Sequence, residues 1–267
     1  MKGFALLLMT TLVLSTATLN AQILIGPVAG PQVSWVSYDR NSDSKGLYKQ
    51  TPVYGFHAGV GVSFRVHKRF FLNTAFLYST KGKYIEGKDD PLLKFQAKYN
   101  YIDVPMIYTV EFLHKVGKVK QYKFFFGIGP NVSYWLNSKG YIENSQLNEV
   151  IIDRLNYKVV FDKKEGEFND NQMNVVDPNR WQFGLNFATG FVFEPLGYQK
   201  VMLTLRYELG GSYLSPNNPG RFTLTNEYKD DLRIHIQGIR VSLSYLVDLR
   251  NEESKKGKST INKKRLH

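Results

Sequence analysis

The sequence predicts an all-β fold, an eight-stranded antiparallel up-and-down transmembrane β-barrel with long extracellular loops. Two observations lead there. Apolar residues alternate with small or polar ones in segment after segment, and the strand glycines keep to one phase of that alternation. Such a pattern suits a wall with lipid on one side and a lumen on the other. The clearest case runs from Tyr54 to Val66. There Tyr54, Phe56, Ala58, Val60, Val62, Phe64 and Val66 share one face, and Gly55, His57, Gly59, Gly61, Ser63 and Arg65 share the other.

Taken in order, a weaker first strand covers about Ile23 to Tyr38, with Ala29, Val33 and Trp35 outward, and the Tyr54 segment is the second. In the third, Phe70, Leu72, Thr74, Phe76 and Tyr78 face out against Phe71, Asn73, Ala75, Leu77 and Ser79. The fourth sets Ile102, Val104, Met106, Tyr108, Val110 and Phe112 against Asp103, Pro105, Ile107, Thr109 and Glu111. The fifth runs from Phe124 to Tyr134 with Gly127, Gly129, Asn131 and Ser133 inward, and the sixth from Trp181 to Glu194 with Gln182, Asn186 and Ala188 inward. Val201 to Gly210 and Gly238 to Val247 complete the eight. Each is long enough for a hydrocarbon core, which takes roughly 9–11 tilted β residues.

Glycine weakens a strand unless its missing side chain is used. Gly26, Gly30, Gly55, Gly59, Gly61, Gly127, Gly129, Gly184, Gly190, Gly210 and Gly238 all fall on the inward phase. The interior of an eight-stranded barrel is just wide enough for side chains, so small inward residues let it close. Connections agree. With the mature N-terminus in the periplasm, short periplasmic turns fall at His67 to Arg69, Leu113 to Gln121 and Pro195 to Lys200. Longer extracellular loops fall at 39–52, 82–98, 137–179 and 211–231. Aromatics then gather at both edges, Trp35, Tyr54, Tyr78, Tyr134 and Trp181 above and Phe64, Phe70, Phe112, Phe124, Phe193 and Tyr245 below, as interfacial belts require.

The chain divides into a signal peptide over 1–21, a barrel over 22–248 and a basic tail over 249–267. Lys2, the apolar run Phe4 to Leu14 and the small residues up to Ala21 make a secretory signal, with cleavage after Ala21 and a second site after Ala17 left open. There is no cysteine, which excludes a lipid-anchored or disulfide-stapled domain. A mean hydropathy of -0.30 looks soluble, but alternating strands cancel their own hydropathy. The net charge is +12, and the tail after Arg250 is rich in Lys and Arg without any apolar period, so it reads as a disordered periplasmic extension. An anionic surface or an acidic envelope protein is the sharper reading of that tail. Export excludes nucleic acid. Within the 137–179 loop, Val150-Ile151-Ile152 and Tyr157 to Phe161 flank a polar turn, a pattern for a hairpin that extends the wall or serves recognition.

Chemistry has few places to reside. The lumen-facing charges are Arg65, Arg206, Arg240, Glu111, Glu194 and Glu208, with His57 and Asp103 higher in the wall. Arg206 and Arg240 lie on adjacent strands, so carboxylates or water must stand between them, Glu208 being nearest in sequence. A structural ion network that plugs the lumen is the main reading and a solute path the alternative. The five histidines form no HExxH motif or metal-ligand pair, and no nucleophile elbow occurs. No catalytic residue, metal or cofactor is therefore expected. A Ser/His pair at the rim, as in a lipid-modifying enzyme, is the least favoured option.

Four segments carry a family resemblance: Tyr54 to Gly61, Phe76-Leu77-Tyr78-Ser79-Thr80-Lys81-Gly82, Tyr101-Ile102-Asp103-Val104-Pro105-Met106, and Phe125-Phe126-Gly127-Ile128-Gly129-Pro130. In this order they resemble the PorT-like outer-membrane β-barrel proteins, over nearly the whole mature chain. The proline inside the fourth strand is the most specific sign. The resemblance implies an outer-membrane barrel of a broad family, one branch of which serves protein secretion and gliding, and no motif places this chain in that branch. With enzyme signatures lacking, the reading is a non-enzymatic barrel that binds or assembles envelope components through its loops or tail. Its surroundings are then outer-membrane lipid, and the basic tail, which departs from the family's usual ending at the last strand, leaves open a periplasmic or outer-membrane protein partner met through tail or loops. A narrow porin-like channel is the alternative.

Overall fold

The computed structural model describes residues 22–39, 44, 46–116, 120–149, 152–164, 166–195, 199–225 and 228–249. The signal peptide, its cleavage site and the basic tail beyond Leu249 lie outside the described residues. In chain order the elements are β1 (Ile23–Tyr38), β2 (Tyr48–Thr51), β3 (Val53–His67), β4 (Phe70–Gly87), β5 (Lys94–Val116) and β6 (Lys120–Glu143). They continue with α1 (Ser145–Glu149), β7 (Leu155–Phe161), β8 (Gln172–Val175), β9 (Trp181–Phe193), β10 (Gln199–Gly210) and β11 (Ile234–Asp248).

Eight of these strands close a ring in the order β1, β3, β4, β5, β6, β9, β10, β11, every neighbour antiparallel. The ring shuts where β1 pairs with β11, from Leu24 opposite Asp248 to Tyr38 opposite Ile234. No ring edge is left unpaired, which is what lets such a wall stand in a medium without water. The stagger can be followed from Ala29. One path through Ala58, Tyr78 and Ile102 reaches Tyr134, and the other through Leu243, Leu203 and Phe191 reaches Phe124. They meet on β6 ten residues apart. That shear tilts eight strands by about 40° and holds the lumen to side-chain width.

The alternation read from the sequence is the alternation of the structure. On β3, Tyr54 is 81% exposed and His57 1%. On β9, Trp181, Phe183, Leu185, Phe187 and Phe191 are exposed while Gln182, Asn186, Ala188 and Gly190 are buried. The inward glycines are used for close approach. A Cβ on Gly30 would stand 1.8 Å from the carbonyl oxygen of Val241, and one on Gly129 the same distance from that of Met106. Backbone cannot yield like the tip of a side chain, so these sites tolerate nothing larger. The two ladder irregularities fall at Arg65/His67 and Asn100/Tyr101, away from every inward glycine.

At the end where β1 finishes and β11 begins, the wall continues well beyond eight crossing strands. Residues 82–98, expected as a loop, are mostly strand: β4 runs to Gly87 and β5 starts at Lys94. The 137–179 segment also builds onto the wall, since β7 pairs with β6 through Lys158 opposite Lys139, and β8 lies parallel to β7. The expected hairpin therefore has β6 as its first arm instead of 150–152. Ile152 is in no strand, and 150–151 lie outside the described residues.

The polarity of the wall inverts here. Inward residues become apolar (Ile85, Phe95, Tyr99, Ile142, Tyr157, Val159) and outward ones become charged or amide (Glu86, Lys98, Lys139, Asn156, Lys158). This is the pattern of a water-soluble sheet around a core. On β6 the bulge at Leu136, where Tyr101 faces Trp135 but Asn100 faces Asn137, also shifts the phase by one residue. The core is aromatic, with Phe95 centred 5.6 Å from Tyr157 and 5.0 Å from Tyr228. Lys83 of β4 pairs with buried Asp230, whose Oδ1 also accepts from the Tyr228 hydroxyl at 3.0 Å. This pair, with Lys83 Nζ also donating to the Asp231 carbonyl at 3.3 Å, pins the 228–231 stretch over the ring. Burial holds the Asp230 carboxyl above its ordinary range, against the pull of the Lys83 ammonium.

Phe95→Ala is expected to remove about 3–5 kcal/mol from this extension. Protease should then cut within 152–175 while the barrel still runs as the compact, SDS-resistant species on unheated gels. Simultaneous loss of both would show that extension and ring fold as one unit.

Candidate functional site in the lumen

Beneath the aromatic core, four charged side chains meet on the barrel axis. Asp103 of β5, fully buried, accepts from Ser133 Oγ at 2.5 Å, Ser79 Oγ at 2.6 Å, Arg240 Nη2 at 2.7 Å and Lys81 Nζ at 3.2 Å. Glu208 of β10 accepts from Lys81 Nζ at 2.5 Å, from Asn131 Nδ2 at 3.2 Å and from Arg240. Around the ring β4 lies opposite β10, and β5 opposite β11. The Lys81–Glu208 and Asp103–Arg240 pairs are therefore struts across the full diameter. Two cations face two carboxylates, and the serines and Asn131 add hydrogen bonds to the acids, which help a buried pair offset its lost hydration, while Arg240 Nη1 meets no acceptor among the described residues.

A second charged layer closes the end at which β1 begins and β11 ends. Lys200 pairs with Glu111 and sits 3.6 Å above the Phe71 ring. Lys123 meets both Glu194 oxygens at 2.7 Å and Glu111 at 3.7 Å. Gln22, Arg65, Lys123, Glu194 and Lys200 line a mouth of about 120 Å³. Between the two layers lie the buried apolar side chains Leu24, Ile107, Phe125, Val192, Met202 and Leu246.

Of the residues expected to form one network, the structure brings Asp103, Glu208 and Arg240 together, and places Glu111 and Glu194 in the second layer. Arg65 keeps the inward phase but is exposed at the mouth, donating to the Lys68 carbonyl at 3.3 Å. His57 Nε2 shares a 2.7 Å hydrogen bond with Ser242 Oγ. Arg206 stands directly opposite Arg240 as expected, but both carboxylates go to Arg240. The Arg206 Nε and Nη2 groups meet no acceptor among the described residues. Sequence reasoning missed Lys81, Lys123 and Lys200. Lys81 follows Ser79 and Lys200 precedes Met202 on the same inward phase, so carrying the alternation two residues further would have found both.

Arg240→Met leaves two buried carboxylates to one ammonium and is expected to lower stability by about 3–5 kcal/mol. Arg206→Met, which breaks no ion pair, should cost much less. Urea titrations of the refolded protein, scored by the unheated gel shift, compare the two.

Residues 18–211 match the family described as outer membrane protein beta-barrel domain. No curated protein matches the chain. Among solved structures, Neisserial surface protein A is similar at 10% identity and a TM-score of 0.38, covering 86% of this chain and 100% of that one. OprG from Pseudomonas aeruginosa is similar at 8% identity and 0.38, covering 85% and 92%. Ail, the attachment invasion locus protein of Yersinia pestis, crystallised with the heparin analogue sucrose octasulfate, is similar at 11% identity and 0.32, covering 85% and 99%. The family match spans most of the sequence and takes in seven of the eight ring strands, so the chain belongs to the outer membrane protein beta-barrel domain family and is a β-barrel of the bacterial outer membrane.

Proposed function

We propose that this protein is a non-enzymatic binding or assembly component of the cell envelope that acts through its loop end and its basic tail, with a lumen closed to solutes. One observation carries the reading: paired charges span the whole diameter of the lumen, with an aromatic core on one side and an apolar layer on the other. A water-filled path needs wetted walls. Here the polar groups that would wet it bond one another across the axis. On this reading the charged residues are a structural plug and need neither cofactor nor metal.

The loop end is extracellular in this proposal and both termini are periplasmic, the arrangement in which short turns and long connections fall on their usual sides. Outer-membrane lipid surrounds the exposed apolar belt. The four sequence segments that resemble PorT-like proteins support a place in that broad family, and none of them places the chain in its secretion and gliding branch. In planar bilayers the refolded protein is expected to give no steady single-channel steps, and regular steps would instead favour the solute channel. Co-purification of the full chain from envelopes should retain an envelope protein that is lost when the chain is cut after Leu249. Identical partners with and without the tail would move the contact to the loops.

A further inference from the structure

The lumen holds one more cation than its carboxylates neutralise. Lys81, Arg240 and Arg206 share the central layer with Asp103 and Glu208, and the two carboxylates are taken by Lys81 and Arg240. Arg206 is 6% exposed. Its two groups without a protein acceptor, Nε and Nη2, form one side-on edge of the guanidinium, the fork that receives a two-oxygen acceptor or a halide. An isolated buried charge is costly enough to require a counter-charge or strong solvation.

Arg206 lines a lumen cavity of about 70 Å³. Thr204 and Ser242, opposite each other on β10 and β11, are in the row beside the arginine pair and line the same cavity. The Thr204 hydroxyl can donate to an anion, and so can that of Ser242 when its Oγ accepts the 2.7 Å hydrogen bond from His57 Nε2. The remaining wall sets Val28, Leu77, Ile107, Phe125 and Met202 beside the polar Asn73, Thr109 and Ser244, and its volume leaves no room for a second charged group or a large hydration shell. We infer that this cavity is a binding site for a small monovalent anion, chloride or formate in size and charge, held on the free edge of Arg206. The inference is independent of the proposed envelope role.

The test uses the full mature chain refolded in detergent. Thermal unfolding is followed at constant ionic strength while sodium chloride or sodium formate replaces sodium gluconate, whose anion is too large for the cavity. A saturable rise of roughly 2–4 °C in the midpoint is expected with either small anion, and none in Arg206→Met. Equal midpoints for the unsubstituted protein in all three salts would overturn the site, as would an unchanged anion dependence in Arg206→Met. Should that variant fail to refold, crystals of the unsubstituted protein grown in bromide decide the question. An anomalous peak against Arg206 supports the inference, and no peak in the cavity refutes it.

Discussion

Everything in this molecule follows from closing a sheet on itself where water cannot satisfy its edges. In hydrocarbon each backbone N–H and C=O needs a partner within the protein, so β1 must find β11. With eight strands and a stagger of ten residues, closure leaves an interior only as wide as the side chains that point into it. The inward glycines at which neighbouring carbonyls come within bonding range of an imagined Cβ are the local expression of that narrowness. So are the charges. A lysine on β4 and a glutamate on β10 touch because the ring is narrow enough for two long side chains to span it.

A single strand here serves two surroundings. In the ring, β4 carries Phe76 and Tyr78 outward and Ser79 and Lys81 inward, whereas a few residues later the same strand carries Ile85 inward and Glu86 outward. The hydrophobic effect drives both arrangements, because what counts is which face meets water. Around the hydrocarbon the outer face is the dry one, and beyond it the outer face is wet and the lumen must hold the core. The Asp103 network sits at the crossover, between the aromatic core and the apolar layer of the ring. That is where a polar group has most need of another polar group.

How much could be read beforehand follows from this inversion. The eight crossing strands, the outward and inward phases and the glycine rule were legible because the period-two pattern keeps one sense throughout the ring. Residues 82–98 and 137–179 looked like loops because the sense reverses there and the bulge at Leu136 slips the phase, so a search for greasy outward faces loses the strand. Lys83 disappeared into that supposed loop, Lys81 into the gap between it and the last inward residue assigned to the strand, Ser79, and Lys200 into a supposed turn. The inward orientation of Asp103, Glu208 and Arg240 was legible from parity alone. Their pairing was not, since it depends on which strands end up opposite one another at the same depth, a property of shear and strand number that no local stretch of sequence encodes.

The two facing arginines show how that geometry divides like side chains into unlike roles. Arg206 and Arg240 are cross-strand neighbours, so mutual repulsion pushes both toward any carboxylate within reach. Arg240 stands on β11, diametrically opposite the strand of Asp103, and beside the strand of Glu208, so one guanidinium nitrogen reaches both acids. Arg206 shares β10 with Glu208, two residues away on the same face, and its strand faces β4, whose inward face brings Lys81 and no acid, Glu86 being outward. The acids can satisfy Lys81 and Arg240 at once only by turning toward the axis. Having done so, they leave the β10 wall with a fixed positive charge beside a cavity, and the surplus is set by strand order as much as by composition.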